Sequence, residues 1–211
     1  MQVPGRIIET EACVAEGAAW LAAREPRFAR LIAETGPLPL RRRPDGFAAL
    51  LDAILGQQVS TASAAALWAR MEAAGLVTEP AVAAASEDDL RACGLSRQKI
   101  RYAHALARAG VDYDALRNQP DAEVIATLTA LPGIGRWTAE VYALISLGRA
   151  DVFAPGDLAL QEAARLLFDL PGRPTEPALR AMAEGWSPWR AVAARALWAY
   201  YRVRRSREGI R

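Results

Sequence analysis

The chain has 211 residues, is 52% hydrophobic and carries a formal net charge of +2. That length suits one or two small domains with a sizeable buried core, and the apolar content argues against disorder. A charge this near neutrality excludes a polycation that coats nucleic acid in bulk, while leaving room for a local basic face. Of the 26 basic residues, all but Lys99 are arginine. Cys13 and Cys93 belong to no metal-spaced cluster and read as reduced, buried thiols. The single histidine, His104, sits in an apolar helix, so a zinc site or a Ser-His-Asp triad has too few parts. The N-terminus lacks a basic-then-apolar signal pattern, and no apolar run reaches spanning length. The expectation is a soluble cytoplasmic protein with no membrane partner.

Helical periodicity runs through almost the whole chain, and alternating β-branched runs are scarce. It predicts helices at 10–24, 26–35, 46–57, 60–74, 80–85, 87–93, 96–109, 120–130, 135–148, 157–169, 176–184 and 188–205. The breaks carry turn chemistry, as in Gly36-Pro37, Pro44-Asp45-Gly46, Gly75, Gly94, Gly110, Pro155-Gly156 and Pro171-Gly172. Ser86 with Asp89 reads as a capping box, and Ser96 caps the next helix. The fold class is all-α.

Residues 131–138 read Leu-Pro-Gly-Ile-Gly-Arg-Trp-Thr. Pro132 fixes φ, and Gly133 and Gly135 permit a sharp turn with close approach to a ligand. The N–H groups of such a turn, with the start of the next helix, suit a phosphate. One helix and one loop further on, Val152-Phe153-Ala154-Pro155-Gly156 leads into Asp157. A phosphate grip followed by a lone acid points to chemistry on nucleic acid. Asp157 by itself reads equally well as a helix N-cap, and a cap holds a carboxylate rigidly, so both roles are compatible.

Leu131–Thr138 resembles the hairpin of the helix–hairpin–helix DNA glycosylases, and Pro155-Gly156-Asp157 their Gly/Pro-rich loop and catalytic aspartate. With Ile54-Leu55-Gly56-Gln57-Gln58-Val59-Ser60 and Trp186-Ser187-Pro188-Trp189-Arg190, four segments stand in family order between about Asp45 and Tyr201. The chain is most similar to the 3-methyladenine DNA glycosylase II type. The resemblance implies a two-lobed helical bundle with an active-site cleft between the lobes. N-terminal helices at 1–45 would pack on the C-terminal lobe. A helical lobe with the helix–hairpin–helix motif would span 46–150, and the C-terminal lobe with the catalytic Asp would span 151–211. Larger members carry a further β-rich domain for which the first forty-odd residues are too short.

The resemblance also implies residue roles. Asp157 would stabilise the oxocarbenium-like sugar as the base leaves. Trp198 and Trp137 would line the base pocket, with Tyr142 contributing. An aromatic wall suits an electron-poor alkylated base. Trp137 stands where lyase-active relatives place a Schiff-base lysine, so the chain reads as monofunctional. Val141 replaces a pocket tyrosine of the best-known member. Gln58 takes the place of the wedge that fills the gap left by the flipped nucleotide. Carbonyls of Thr129, Leu131 and Ile134 match a monovalent-cation site. The four closely spaced cysteines of iron–sulfur relatives are missing, so no such cofactor is expected. Gly133, Gly135, Arg136, Thr138, Ser96 and Lys99 are candidate phosphate contacts. The Arg41-Arg42-Arg43 run and the arginines of 202–207 read as solvated charge runs.

The resulting expectation is a monomeric, nucleoid-associated glycosylase that starts base-excision repair on double-stranded DNA containing a damaged, alkylated base. Two alternatives stay open: a glycosylase for deaminated or oxidised bases, and a non-catalytic helix–hairpin–helix DNA-binding module.

Overall fold

The computed structural model describes residues 5–207; the outer ends of the first and last expected segments, 1–4 and 208–211, lie outside the described residues. In chain order the helices are α1 (Glu11–Arg24), α2 (Pro26–Thr35), α3 (Phe47–Leu55), α4 (Thr61–Ala73), α5 (Glu79–Ala84), α6 (Glu87–Ala92) and α7 (Arg97–Ala107). They continue with α8 (Tyr113–Asn118), α9 (Asp121–Thr129), α10 (Arg136–Ile145), α11 (Leu158–Leu167), α12 (Glu176–Glu184) and α13 (Arg190–Arg207). Among the described residues the β-structure is one isolated antiparallel bridge, Ile7 to Arg149. The all-α expectation therefore holds.

The chain forms two compact units. One holds residues 43–142; the other joins 5–42 to the residues from 143 onward. The division falls inside α10, at 142/143, whereas the sequence placed it at 150. The helix itself also ends earlier than the expected 148, because Gly148 turns left-handed at φ +72°. The apolar pattern continues to 148, but the helix stops at Ile145 and the Arg149 N–H turns back to the Ala143 carbonyl at 3.0 Å.

The first unit is built around α3. Its apolar residues recur at helical spacing, and Phe47, Leu50, Leu51, Ile54 and Leu55 are all buried. α3 packs on α4 and α7, and α7 also receives α5 and α6. Side-chain caps set the starts: Ser60 for α4, a full capping box of Ser86 and Asp89 for α6, and Ser96 for α7. α8 has no counterpart among the expected helices. It is six residues long and buries Leu116, and its start is set by Asp112, whose carboxylate accepts from the Ala115 N–H at 2.8 Å.

In the second unit α13 packs against α11, α1 and α2. The alanine-rich first half of α13 allows this close approach: Ala191, Val192, Ala193, Ala194, Ala196 and Leu197 are fully buried. An aromatic cluster of Phe28, Phe153, Phe168 and Trp186 fills the other side of this core through edge-on and stacked contacts. Arg195 lies fully buried among these apolar side chains. It is tolerated there because it donates to the carbonyls of Leu40, Ala191 and Leu144.

Candidate active site and nucleic-acid interface

Within the second unit, the approach to Asp157 is a tight turn. The Asp157 N–H donates to the Ala154 carbonyl at 3.0 Å. The buried Gln161 reaches back from α11, and its Nε2 donates to the Pro155 carbonyl at 2.8 Å. Upstream, Asp151 is clamped by Arg190, with Nε and a terminal nitrogen at 2.8 and 2.9 Å, and by the Ser187 hydroxyl at 2.8 Å. The Asp151 end of the loop is thus fixed by partners far away in the chain, and the Pro155 end by a side chain one turn into the next helix.

Asp157 is the N-cap of α11. Its Oδ1 accepts from the N–H groups of Ala159 and Leu160 at 2.9 and 3.0 Å. The Trp198 Nε1–H also donates to Oδ1, at 3.3 Å. The cap fixes the rotamer, and the indole of α13 stands against the same oxygen. A rigid, half-buried carboxylate of this kind is suited to stabilising positive charge that develops on a sugar. Two residues that the sequence named separately, Asp157 and Trp198, are brought together.

The first unit carries the hairpin. The Ile134 N–H donates to the Leu131 carbonyl at 3.0 Å, and the Ala139 N–H to the Gly135 carbonyl, so α10 begins at Arg136. The N–H groups of the first turn of α10 have no earlier helical partner. Gly133 has φ +89°, and a Cβ there would stand 2.4 Å from the Tyr102 ring. Gly135 is different: a Cβ there meets nothing within 4 Å. Packing requires glycine at 133 and leaves 135 open to something outside the protein.

Trp137 follows on the exposed side of α10, with 46% of its surface accessible, while Thr138 is 6% exposed. The Thr138 side chain is therefore packed, and its contribution to an anion site is confined to the main chain. The exposed Arg136 is steadied by the buried Glu140, its Nε donating to Oε1 at 3.0 Å. Tyr142, placed in the base pocket by resemblance, is 5% exposed and its hydroxyl accepts from the Gly46 N–H at 2.8 Å. That is a packing role, and burial pushes its pKa up to about 12.

α3 ends at Leu55, two residues before the expected end at Gln57. Gln57 and Gln58 lie in the turn that follows. Gln58 is exposed, with φ +55°. Gln57 has a role the sequence did not assign: its Nε2 donates to the Gly133 carbonyl at 2.7 Å, tying this turn to the hairpin. Two amides beside a buried pattern were the available signal. The Lys99 Nζ donates to the Leu55 carbonyl, and burial lowers its pKa. The Ser96 hydroxyl accepts from the Lys99 N–H at 3.3 Å. Gln58, Ser96 and Lys99 line one recess of about 240 Å³ together with Gln57 and Tyr102.

Thr129 places its hydroxyl on the carbonyls of Ile125 and Ala126. The side chain of Ile134 is buried, so any ion at Thr129, Leu131 and Ile134 would meet main-chain oxygens. Among the described residues no group of three His, Cys, Asp or Glu side chains is placed to hold a metal.

A hairpin between two helices, followed along the chain by a capped aspartate beside an indole, is the pattern that similarity to known proteins places in a class. Residues 51–189 match the model of the HhH-GPD superfamily base excision DNA repair proteins, and the chain belongs to that superfamily. It is 34% identical over 168 residues to DNA-3-methyladenine glycosylase 2 of Escherichia coli, covering 73% of this chain and 57% of that protein. Among solved structures, a DNA-3-methyladenine glycosidase from Bacillus halodurans aligns with a TM-score of 0.79 at 29% identity, over 95% of this chain and 93% of that one. The 3-methyladenine DNA glycosylase of Schizosaccharomyces pombe, in complex with abasic DNA, aligns with a TM-score of 0.76 at 28% identity, over 87% and 95%.

Proposed function

We propose that the protein is a monofunctional DNA glycosylase that hydrolyses the N-glycosidic bond of alkylated bases in duplex DNA and acts as a monomer. The observation that carries this reading is the Asp157 carboxylate held at the start of α11 against the Trp198 indole. An alkylated purine is already a cationic leaving group, so the enzyme needs no strong nucleophile. It needs a carboxylate to offset charge on the sugar and to orient water, and an aromatic face to receive the base. The hairpin grips the strand at a phosphate through the N–H groups that begin α10. Trp137 stands where a lyase would place its lysine, and it carries no amine.

The hairpin carbonyls fit a monovalent cation. The Leu131 oxygen accepts one hydrogen bond from Ile134 and keeps a second lone pair; neutral carbonyls match a single positive charge. Such an ion would offset the charge of an incoming phosphate.

The test is base release from randomly methylated duplex DNA, with the freed bases identified, for the wild type and Asp157→Asn. Asparagine is also a good N-cap, so the fold is kept while the charge is lost. The barrier should rise by about 3 kcal/mol or more, with DNA binding largely preserved. Substantial turnover by the variant would rule the role out. DNA binding by the wild type without base release would favour a binding module, and release of deaminated or oxidised bases alone would favour the other glycosylase class.

A further inference from the structure

The three arginines at 41–43 read in the sequence as a solvated charge run, yet Arg41 does not behave as part of one. Its backbone lies in the left-handed region, with φ +50°, which is uncommon for a bulky side chain and is a strain found most often at functional sites. Its guanidinium carbon stands 5.7 Å from the centroid of the Trp198 ring, within range of cation–π attraction. The same indole donates to Asp157. A cation therefore rests on the ring whose nitrogen is bound to the candidate catalytic carboxylate. The neighbourhood is already positive: the buried Arg195 has its pKa pushed down to about 10, by burial first and then by Arg41 and Arg42.

We propose that Arg41 is a resident occupant of the Trp198 face, standing where a flipped cationic base would stack, and that the base must displace it to enter. The inference rests on the reading of Trp198 as the base-stacking wall. A guanidinium is planar, delocalised and weakly hydrated, and it stacks on aromatic faces; a methylated purine cation shares these properties. Two planar groups cannot stack on one ring face at once, and two cations there also repel each other, so occupancy is exclusive for the bound cationic base and for the neutral free base alike. Arg41 then sets a threshold that a loosely held base does not pass, and it makes Arg41 a specificity-determining residue.

The experiment measures how free 3-methyladenine inhibits base release from methylated duplex DNA, for the wild type, Arg41→Asn and Arg41→Lys, each alone and with Trp198→Phe. Asparagine tolerates left-handed backbone, so that variant keeps the fold, and lysine keeps the charge. With the competitor gone, Arg41→Asn should be inhibited at roughly twofold to fivefold lower free base, the range of one exposed cation–π contact. Arg41→Lys should stay nearer the wild type. In the Trp198→Phe background the gain should shrink or vanish, because it works through that ring. Unchanged or weakened inhibition of Arg41→Asn overturns the proposal. So does a gain that persists undiminished with Trp198→Phe, since Arg41 would then act only through bulk charge. A wild type that releases no base refutes the glycosylase reading itself, whereas an active, inhibited wild type with an indifferent Arg41→Asn refutes Arg41 alone.

Discussion

Gly133 and Gly135 stand two positions apart in one hairpin, and the structure separates what each glycine is for. At Gly133 an alanine would carry a strained φ of +89° and press its Cβ into the Tyr102 ring. Gly133→Ala should lower stability by about 2 kcal/mol or more, measured by urea unfolding. At Gly135 an added Cβ touches no protein atom. Gly135→Ala should leave unfolding within about 0.5 kcal/mol of the wild type and weaken DNA binding about tenfold, because the methyl group would stand where the phosphate approaches. Equal DNA affinity for Gly135→Ala and the wild type would remove the hairpin from the interface. The sequence offered both glycines as one motif; the left-handed φ at Gly133 and the position of Tyr102, 31 residues earlier in the chain, distinguish them.

At the scale of elements, the turn between α3 and α4 carries the wedge assignment. Gln58 is exposed and left-handed there, while its neighbour Gln57 anchors the turn to the Gly133 carbonyl. Flipping a nucleotide costs a few kcal/mol of stacking and pairing, and a side chain in the gap offsets part of that. Gln58→Ala should lower activity on duplex lesions more than on single-stranded ones, and Gln58→Leu should restore part of the duplex activity. Gln58→Gly adds a separate arm. Relief of the left-handed backbone offsets the larger unfolded-state entropy of glycine, so stability should hold while the duplex preference falls. Equal losses on both substrates would make Gln58 a structural turn residue. The helices themselves were largely legible, because apolar spacing and caps are local. Two exceptions stand out: α8, a six-residue helix set by its Asp112 cap, had no expected counterpart, and α10 stops before the left-handed Gly148 although its apolar pattern runs on.

For the molecule as a whole, two solution properties follow. The chain has one lysine, and Lys99 donates its amine to the Leu55 carbonyl, so no Schiff base is expected. Borohydride should trap no covalent adduct between protein and DNA during base release. A strong trapped band would contradict the monofunctional reading and direct attention to Lys99. The second property is alkaline sensitivity of the unit at 43–142. Burial pushes Tyr142 up to about 12 and raises Tyr113 as well. In the unfolded chain these phenols ionise near the ordinary value of 10. From there up to about 12 the native state binds more protons than the unfolded one, so stability falls as pH rises through that window. Tyr142→Phe should flatten this slope in urea unfolding between pH 9 and roughly 11.5, and should cost about 1 kcal/mol at neutral pH through the lost Gly46 bond. A slope unchanged in the variant would exclude Tyr142 as its source.

The sequence by itself determined the all-α class, the hairpin at 131–138, the capped acid at 157 and the glycosylase family that these imply. The class, the hairpin and the cap rest on punctuation and periodicity within a few residues, where proline, glycine and capping side chains act locally; the family came from the resemblance of four segments to known members. Tertiary structure alone decided that Arg41 covers Trp198 rather than facing solvent, and that Tyr142 is spent on Gly46. It alone fixed the start of the loop before Asp157, through Arg190 and Ser187. It also set the division at 142/143 and joined residues 5–42 to the C-terminal helices. Contacts of this kind bring together side chains far apart in the chain, and their energy depends on burial and mutual geometry, neither of which leaves a period or a motif in the sequence.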